Sequence, residues 1–525
     1  MEGLLSSIKD ILGDTAKPTP IQALTLKNLF HRTTRDEQLG QYRISTTTNP
    51  GIWRQYLLAS ETGSGKSIAY LLPMLQYLKQ TELDQEQKRN PKPPLPSHLL
   101  HPRGLVLAPT HELSRQLSKF AKSLLHNIKL RVLCTSQANA GSSTGRSGRK
   151  ETARKLKEDL SALIYGTDGA ITNADDGEFE IRPRKSRRSA DIVVGTPMKA
   201  LEMVRGWGWD KVEERNMPEN SSQFGGRQFY AGKPEMGLSE VEYVVIDEAD
   251  VLFDKDFREA TRLLLSDISA ARGHPLPPST TTAPQHTNYP FHLILTSATI
   301  PWSLANHLDT HHPNLTRLVS PNLHRLPQTL RTEHVGWTGG NRDADVVKRI
   351  KRVWAEDALR GPDAHGRRQK SKILVFCNKS TRVDALSAYL KEHGVDNVAL
   401  SGTSGERRHG SNHHLDGFLN SSRERIPAAS PGSTQIVLSS GEKKRVEEPH
   451  VLITTSLLSR GLDFAPSVRH VFVVDSPRNM IDFLHRAGRS GRAGNQGKVV
   501  VFGKLRGRGS SVAKDVRRKV GALVM

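Results

Sequence analysis

The chain has 525 residues with 76 Lys and Arg against 54 Asp and Glu, a formal net charge of +22 that makes nucleic acid the leading partner and an anionic membrane surface the second. That length calls for two to four domains, and a 36% hydrophobic fraction excludes wholesale disorder while leaving room for polar insertions. With only Cys134 and Cys377, a disulfide framework and a cysteine-rich zinc site are excluded, and no apolar run approaches the roughly 18 residues that span a bilayer.

Along the chain, short β-branched runs followed by turn or phosphate-loop residues read as buried strands: Tyr56–Ala59, Gly104–Ala108, Arg131–Cys134, Asp191–Val194, Tyr243–Ile246 and Leu293–Thr296. A second series follows at Ile373–Phe376, Asn397–Leu400, Val451–Thr454, His470–Val474 and Val499–Phe502. Helical stretches such as Ser114–Leu125, Glu259–Ala271 and Ser380–His393 lie between them. Alternation of strand and helix predicts an α/β fold with parallel sheets, and two series predict two such domains in tandem. The seam falls near Ser320–Gln328, where Pro321 and Pro327 restrict the backbone. The resulting division is 1–320, a linker over 321–333, 334–503, and a basic tail over 504–525.

Polar or Gly/Pro-rich stretches at His31–Gly51, Thr81–His101, Gln137–Ala190, Gly206–Gly237, Gly273–Pro290 and Asn420–Pro449 read as long surface insertions. One holds an acidic cluster, Asp168–Glu180, followed by the basic run Arg182–Arg188. That run and the tail, with seven Lys/Arg against one Asp, are either electrostatic anchors for nucleic acid or solvated charge.

The strongest string runs from Tyr56 to Ser67, YLLASETGSGKS. A strand ends at Ala59, the backbone of Glu61, Thr62, Gly63, Ser64 and Gly65 can wrap a phosphate, and the following helix offers its positive N-terminus. Lys66 pairs with the β/γ-phosphates and the Ser67 hydroxyl binds Mg²⁺ in this arrangement. A second string, Val244 to Asp250, delivers two carboxylates from the end of an apolar strand. Beside the phosphate loop, Asp247 can hold Mg²⁺ through its water shell, and Glu248 can orient and deprotonate the attacking water. Together the two strings predict NTP hydrolysis.

Asp247-Glu248-Ala249-Asp250 spells the name of the DEAD-box RNA helicases, and the chain resembles that family over nearly its whole length. The matching strings are Pro18–Gln22, Pro109–Leu113, Gly195–Pro197, Thr296–Thr299, Val375–Asn378, Thr454–Thr455 with Ser459–Asp463, and His485–Arg492. The resemblance implies two RecA-like domains, ATP as the nucleotide read by Gln22, and RNA held at Pro109, Thr110, Thr196, Pro197 and Thr455. It also implies arginine fingers at Arg489 and Arg492, Asp463 near the ribose, and Ser297, Thr299 and His485 linking hydrolysis to RNA. Within the family the chain is most similar to the mitochondrial DEAD-box helicases of filamentous fungi. This implies a mitochondrial, monomeric remodeller of structured ribosomal or other organellar RNA, with ribosome-assembly proteins as candidate partners and no membrane contact. An ATP-gated RNA clamp or chaperone with little unwinding is the alternative. Those relatives carry transit sequences, whereas only 21 residues precede Gln22 here, so the chain reads as a trimmed form. Ser60 replaces the first Gly of the common phosphate-loop pattern, and His111 stands where the family has Arg.

Overall fold

The structure is a computed structural model that describes residues 2–29, 53–87, 99–136, 190–210, 232–276, 288–327, 329–359, 370–402, 412–420, 449–491, 495–504 and 518. The predicted acidic cluster at 168–180, the basic run at 182–188, Arg492 and nearly all of the basic tail lie outside these residues.

Two parallel sheets follow each other in the chain. The first has seven strands in the order β3-β4-β2-β5-β6-β1-β7, from β1 (Gln55–Ala59), β2 (Gly104–Leu107), β3 (Val132–Cys134), β4 (Ile192–Gly195), β5 (Tyr243–Ile246), β6 (His292–Ser297) and β7 (Thr316–Val319). The second has six in the order β10-β11-β9-β12-β13-β8, from β8 (Leu330–Gly336), β9 (Lys372–Cys377), β10 (Asn397–Leu400), β11 (Val451–Thr455), β12 (Val468–Val473) and β13 (Gly497–Gly503). Among the described residues every pairing between these strands is parallel. Parallel strands need crossover helices, which cover both faces and select continuous apolar runs rather than alternation. Accordingly Leu105, Val106 and Leu107 of β2 are all fully buried, and each sheet separates two apolar clusters, one per face.

Among the described residues the helices are α1 (Glu2–Leu12), α2 (Pro20–Leu29), α3 (Lys66–Gln87), α4 (His111–Leu124), α5 (Pro197–Arg205), α6 (Ala249–Leu252), α7 (Arg258–Ala271), α8 (Trp302–His311), α9 (Arg342–Leu359), α10 (Ser380–Glu392), α11 (Ser456–Ser459) and α12 (Met480–Ala487). Three elements, one helix and two strands, depart from expectation. The stretch from Thr81, read as the start of an insertion, continues α3 as helix to Gln87. Edge strands β7 and β8 were not anticipated: their side chains are mostly half-exposed and partly polar, so they lack the buried-strand signature. Because β8 begins at Leu330, strand residues occupy the end of the 321–333 stretch read as linker.

The order β2-β5-β6-β1 has a direct consequence for chemistry. The phosphate loop leaves the carboxyl end of β1, Asp247 and Glu248 leave that of β5, and Ser297–Thr299 leave β6 between them. Ligands of open parallel sheets bind outside these carboxyl ends.

Candidate nucleotide site between the two sheets

The loop from Ser60 to Gly65 is held in a phosphate-ready shape by its own groups and by α2. The Ser60 and Ser64 hydroxyls bond to each other, and Lys66 Nζ donates to the Ser60 and Glu61 carbonyls at 2.7 and 2.9 Å. Gly63 and Gly65 occupy the left-handed region at φ 79° and 83°. From the other side, Thr19 Oγ1 donates to the Ser64 carbonyl at 2.7 Å and Gln22 Nε2 to the Gly65 carbonyl at 3.1 Å. Gln22 is thus buried against the loop, and Thr19, which sequence reasoning did not single out, shares that work. A Cβ on Gly65 would collide with Gln22 Nε2 and carry a disfavoured φ. Gly65→Ala should therefore weaken nucleotide binding at least tenfold in a fluorescent-nucleotide titration, through displacement of Gln22 and distortion of the loop.

Asp247 is buried at the foot of the site. Its Oδ1 accepts from Thr296 Oγ1 and, at 3.0 Å, from the Glu248 amide, while Oδ2 accepts from the Tyr70 hydroxyl at 3.1 Å. Burial, and then the adjacent Glu248 charge, push its carboxyl up to about 6. Burial also lowers the Lys66 ammonium from its ordinary value, opposed by Glu248 and Asp247 and reinforced by Arg489. A site with these tensions is relieved by a bound polyanion and its counter-cation. Ser67 bonds to Tyr70, which in turn bonds to Asp247, so both oxygen donors predicted for Mg²⁺ flank one phenol. Glu248 sits at φ 54°, outside the favoured regions for a residue with a side chain, and its buried Oε2 has no hydrogen-bond partner among the described residues. Strain of this kind persists where the surroundings over-determine it.

The second sheet closes over this loop. Thr62 Oγ1 donates to the Gly488 carbonyl at 3.1 Å, and a Cβ on Gly488 would strike the Thr62 hydroxyl. Buried Arg489 donates from Nε to the His485 carbonyl at 2.8 Å and from Nη1 to the Leu462 carbonyl at 3.2 Å, with its charge facing Lys66. Asp250 joins both halves at one carboxylate. It accepts from Ser297 Oγ at 3.1 Å, Thr299 Oγ1 at 3.2 Å and Arg460 Nη1 at 2.7 Å, and it lies 3.2 Å from His485 Nε2. Burial alone would raise the Asp250 carboxyl, but Arg460 first and His485 next hold it well below the usual carboxylate range. Burial, then Arg460, lower His485, which favours the neutral ring.

Further contacts cross the seam at α4. Gln116 Nε2 donates to the Gly461 carbonyl at 3.4 Å, the Asp463 amide donates to Gln116 Oε1 at 2.9 Å, and Asn412 Nδ2 donates to the Glu112 carbonyl at 3.0 Å. The Asp463 carboxylate accepts from Asn420 at 3.2 Å. Gln116, Asn412, Asp250 and Arg460 were not marked as site residues from the sequence, although Asp250 and Arg460 sit inside recognised strings.

The residues expected to meet RNA stand at strand-to-helix turns on the same edges. Thr110 and Thr196 are buried N-caps of α4 and α5, accepting from the Leu113 and Lys199 amides at 3.3 and 3.4 Å, with Pro109 just before the first and Pro197 opening α5. Thr455 precedes α11 without a side-chain cap. Two of the three hydroxyls accept from their own helices and each keeps one O–H hydrogen that a phosphate arriving there could accept.

Fold and site together define the class: a P-loop NTPase of two RecA-like sheets in tandem. The chain matches the DEAD/DEAH box helicase family over residues 40–178 and 176–307 and the helicase conserved C-terminal domain over 434–494, and it belongs to the DEAD-box family of ATP-dependent RNA helicases. It is 34% identical over 535 residues to the mitochondrial ATP-dependent RNA helicase MRH4 of Cryptococcus neoformans var. neoformans serotype D (strain B-3501A), spanning 96% of this chain and 81% of the relative. To MRH4 of Pyricularia oryzae it is 27% identical over 95% of this chain and 70% of the relative. Among solved structures, S. cerevisiae Dbp5 bound to RNA and ADP BeF3 aligns at TM-score 0.54 and 17% identity, covering 99% of this chain and 92% of that one. Mss116p bound to ssRNA and AMP-PNP aligns at TM-score 0.56 and 16% identity, over 100% and 76%. These two likenesses establish the shared fold.

Proposed function

We propose that this chain is an RNA-dependent ATPase that locally unwinds or remodels structured RNA in mitochondria, as the name of its fungal relatives suggests for them. The carrying observation is the split of the site. Lys66, Asp247 and Glu248 hang from one sheet and Arg489 from the other, so only closure assembles them.

In this reading residues 1–320 carry the nucleotide loop, 334–503 supply the finger, and 504–525 adds basic charge. The P-loop amides and Lys66 bind the ATP phosphates, Gln22 fixes the loop toward adenine, and Asp463 comes to the ribose. Ser67 and Asp247 would hold Mg²⁺, whose preference for hard oxygen donors they satisfy, and charge neutralisation at the phosphates is the chemistry it would supply there. Glu248 accepts the proton of the attacking water. Arg489, with Arg492, stabilises charge developing on the transferred phosphoryl group, a contribution of about 10³–10⁵ in rate for such fingers. Pro109, Thr110, Thr196, Pro197 and Thr455 position RNA by its backbone, with little base readout. Ser297, Thr299 and His485 transmit closure through Asp250, so a strand bent by the closed surface leaves a short duplex. Structured ribosomal or other organellar RNA is the expected substrate, met by a monomer with or without ribosome-assembly proteins.

The test is ATP hydrolysis with and without RNA, together with displacement of a short RNA duplex. RNA stimulation with displacement is the expected result. ATP-dependent RNA retention without displacement would establish a clamp, and equal stimulation by DNA would sink the RNA assignment.

A further inference from the structure

Only two non-glycine residues among those described hold positive φ: Glu248, and His324 at φ 66° between β7 and β8. The first belongs to the hydrolytic site. The second lies in the stretch that joins the two sheets and takes no part in the chemistry above. Its Nε2 accepts a hydrogen bond from the Ile300 amide at 3.1 Å, one residue beyond Thr299, which touches both Asp250 and His485. The same stretch is tied at its start to the phosphate loop, because the Ser320 amide donates to the Ala59 carbonyl at 2.8 Å and Ser320 Oγ to Glu61 at 2.9 Å. A small cleft lined by Glu61, Thr62, Thr299, His324, Arg325 and His485 lies beside these ties.

We propose that His324 is a positioning residue that locks the connecting stretch to the loop after β6, so that the coupling residues and the path between the domains move as one unit. The strained backbone is what aims the ring at Ile300, since an extended residue at this place would turn its side chain elsewhere.

The chemistry of the bond makes it a proton-sensitive lock. A backbone N–H only donates, so His324 Nε2 must be bare and the ring neutral, with its proton on Nδ1. Protonation would set one N–H against another and add positive charge facing His485 of α12 and Arg325. Glu61 on the phosphate loop is the acidic group on the same cleft, and Asp250 with Arg460 stand behind His485. Burial, then His485, hold the His324 ring below the ordinary histidine value. The lock is therefore closed above that ordinary value of about 6.5 and is lost as pH falls below it.

The kinetic arm rests on the ATPase reading, so a spectroscopic arm is paired with it. His324→Ala should lower RNA-stimulated kcat about five- to tenfold at pH 7.5 with KM for ATP unchanged, the scale of one lost buried acceptor. His324→Gln keeps an acceptor that cannot protonate, so it should restore most of that loss, and its rate relative to the unsubstituted chain should climb from pH 7.5 to 5.5. An alanine variant with full kcat, or a glutamine variant that tracks the unsubstituted chain at every pH, would overturn the proposal. In the full chain labelled with ¹⁵N-isoleucine, the Ile300 amide should titrate with the same midpoint as the His324 ring. An Ile300 amide indifferent to that titration would overturn it independently of any activity.

Discussion

Glu248→Gln should cut RNA-stimulated ATP turnover by about 10²–10⁴-fold, the range that a positioned general base supplies. The substitution is nearly isosteric, and it leaves the backbone bond from the 248 amide to Asp247 Oδ1 untouched. The left-handed backbone at 248 stays as constrained as before. It also removes the like charge that, after burial, raises the Asp247 carboxyl. Thermal stability should consequently be unchanged or slightly higher, and nucleotide affinity should be retained. On the proposed reading, in which bound ATP assembles the site, the variant should accumulate RNA-bound, with slowed RNA release in the presence of ATP. Rapid turnover by this variant would remove Glu248 from the role of base. Loss of fold would be equally informative, because the buried Oε2 forms no bond whose removal explains it.

Legibility in the sequence followed burial and locality. Strand β5 was read to its exact ends because Tyr243–Ile246 is an unbroken β-branched and aromatic run buried on both faces. The phosphate loop was legible because its chemistry is contained in consecutive residues, Ser60 to Ser67. Edge strands such as β8 were not, since LRTEHVG carries charge and half-exposed side chains that share the composition of a loop. Capping was visible only in outline: Thr110 and Thr196 were marked for RNA, but that their hydroxyls are occupied by Leu113 and Lys199 required coordinates. Least legible were the pairs that hold the domains together. Asp250 and Arg460 are 210 positions apart, and Gln116 and Asp463 are 347 apart. Pattern within a segment says nothing of which segment it will meet. His324 is the extreme case, for a lone histidine in a Pro-bounded linker carries no signal until its backbone angle and its partner are known.

Those long-range pairs set the second large effect, which concerns Arg460→Ala. The guanidinium reaches across the seam to a carboxylate that is almost wholly buried when the sheets are together. Removing one partner of a buried ion pair typically costs about 3–5 kcal/mol, because the remaining charge keeps its desolvation penalty. Here the open state offers Asp250 water, so the cost falls on closure rather than on folding of either domain. At the lower end, about 3 kcal/mol corresponds to about a 10²-fold shift in the closed population and a comparable fall in RNA-stimulated hydrolysis. ATP binding should change little, since the phosphate loop is built from the first sheet. His485, Ser297 and Thr299 stay in contact with Asp250 but do not replace the guanidinium, as burial still favours the neutral ring. A cycle with Asp250→Asn should show strong coupling: the double variant should lose far less than the two single losses combined, because neutral Asn needs no cation. The pH sign is fixed as well. A carboxyl held below its ordinary range contributes above its unperturbed value near 4 and is lost only as pH falls toward its lower closed-state value. The ratio of Arg460→Ala to the unsubstituted chain should thus be flat from pH 6 to 8, whereas the His324→Ala ratio should narrow toward unity on the acid side. Strictly additive single losses in the cycle would place Arg460 outside the closing contact and leave Thr62–Gly488 and the α4 bonds to hold the domains together.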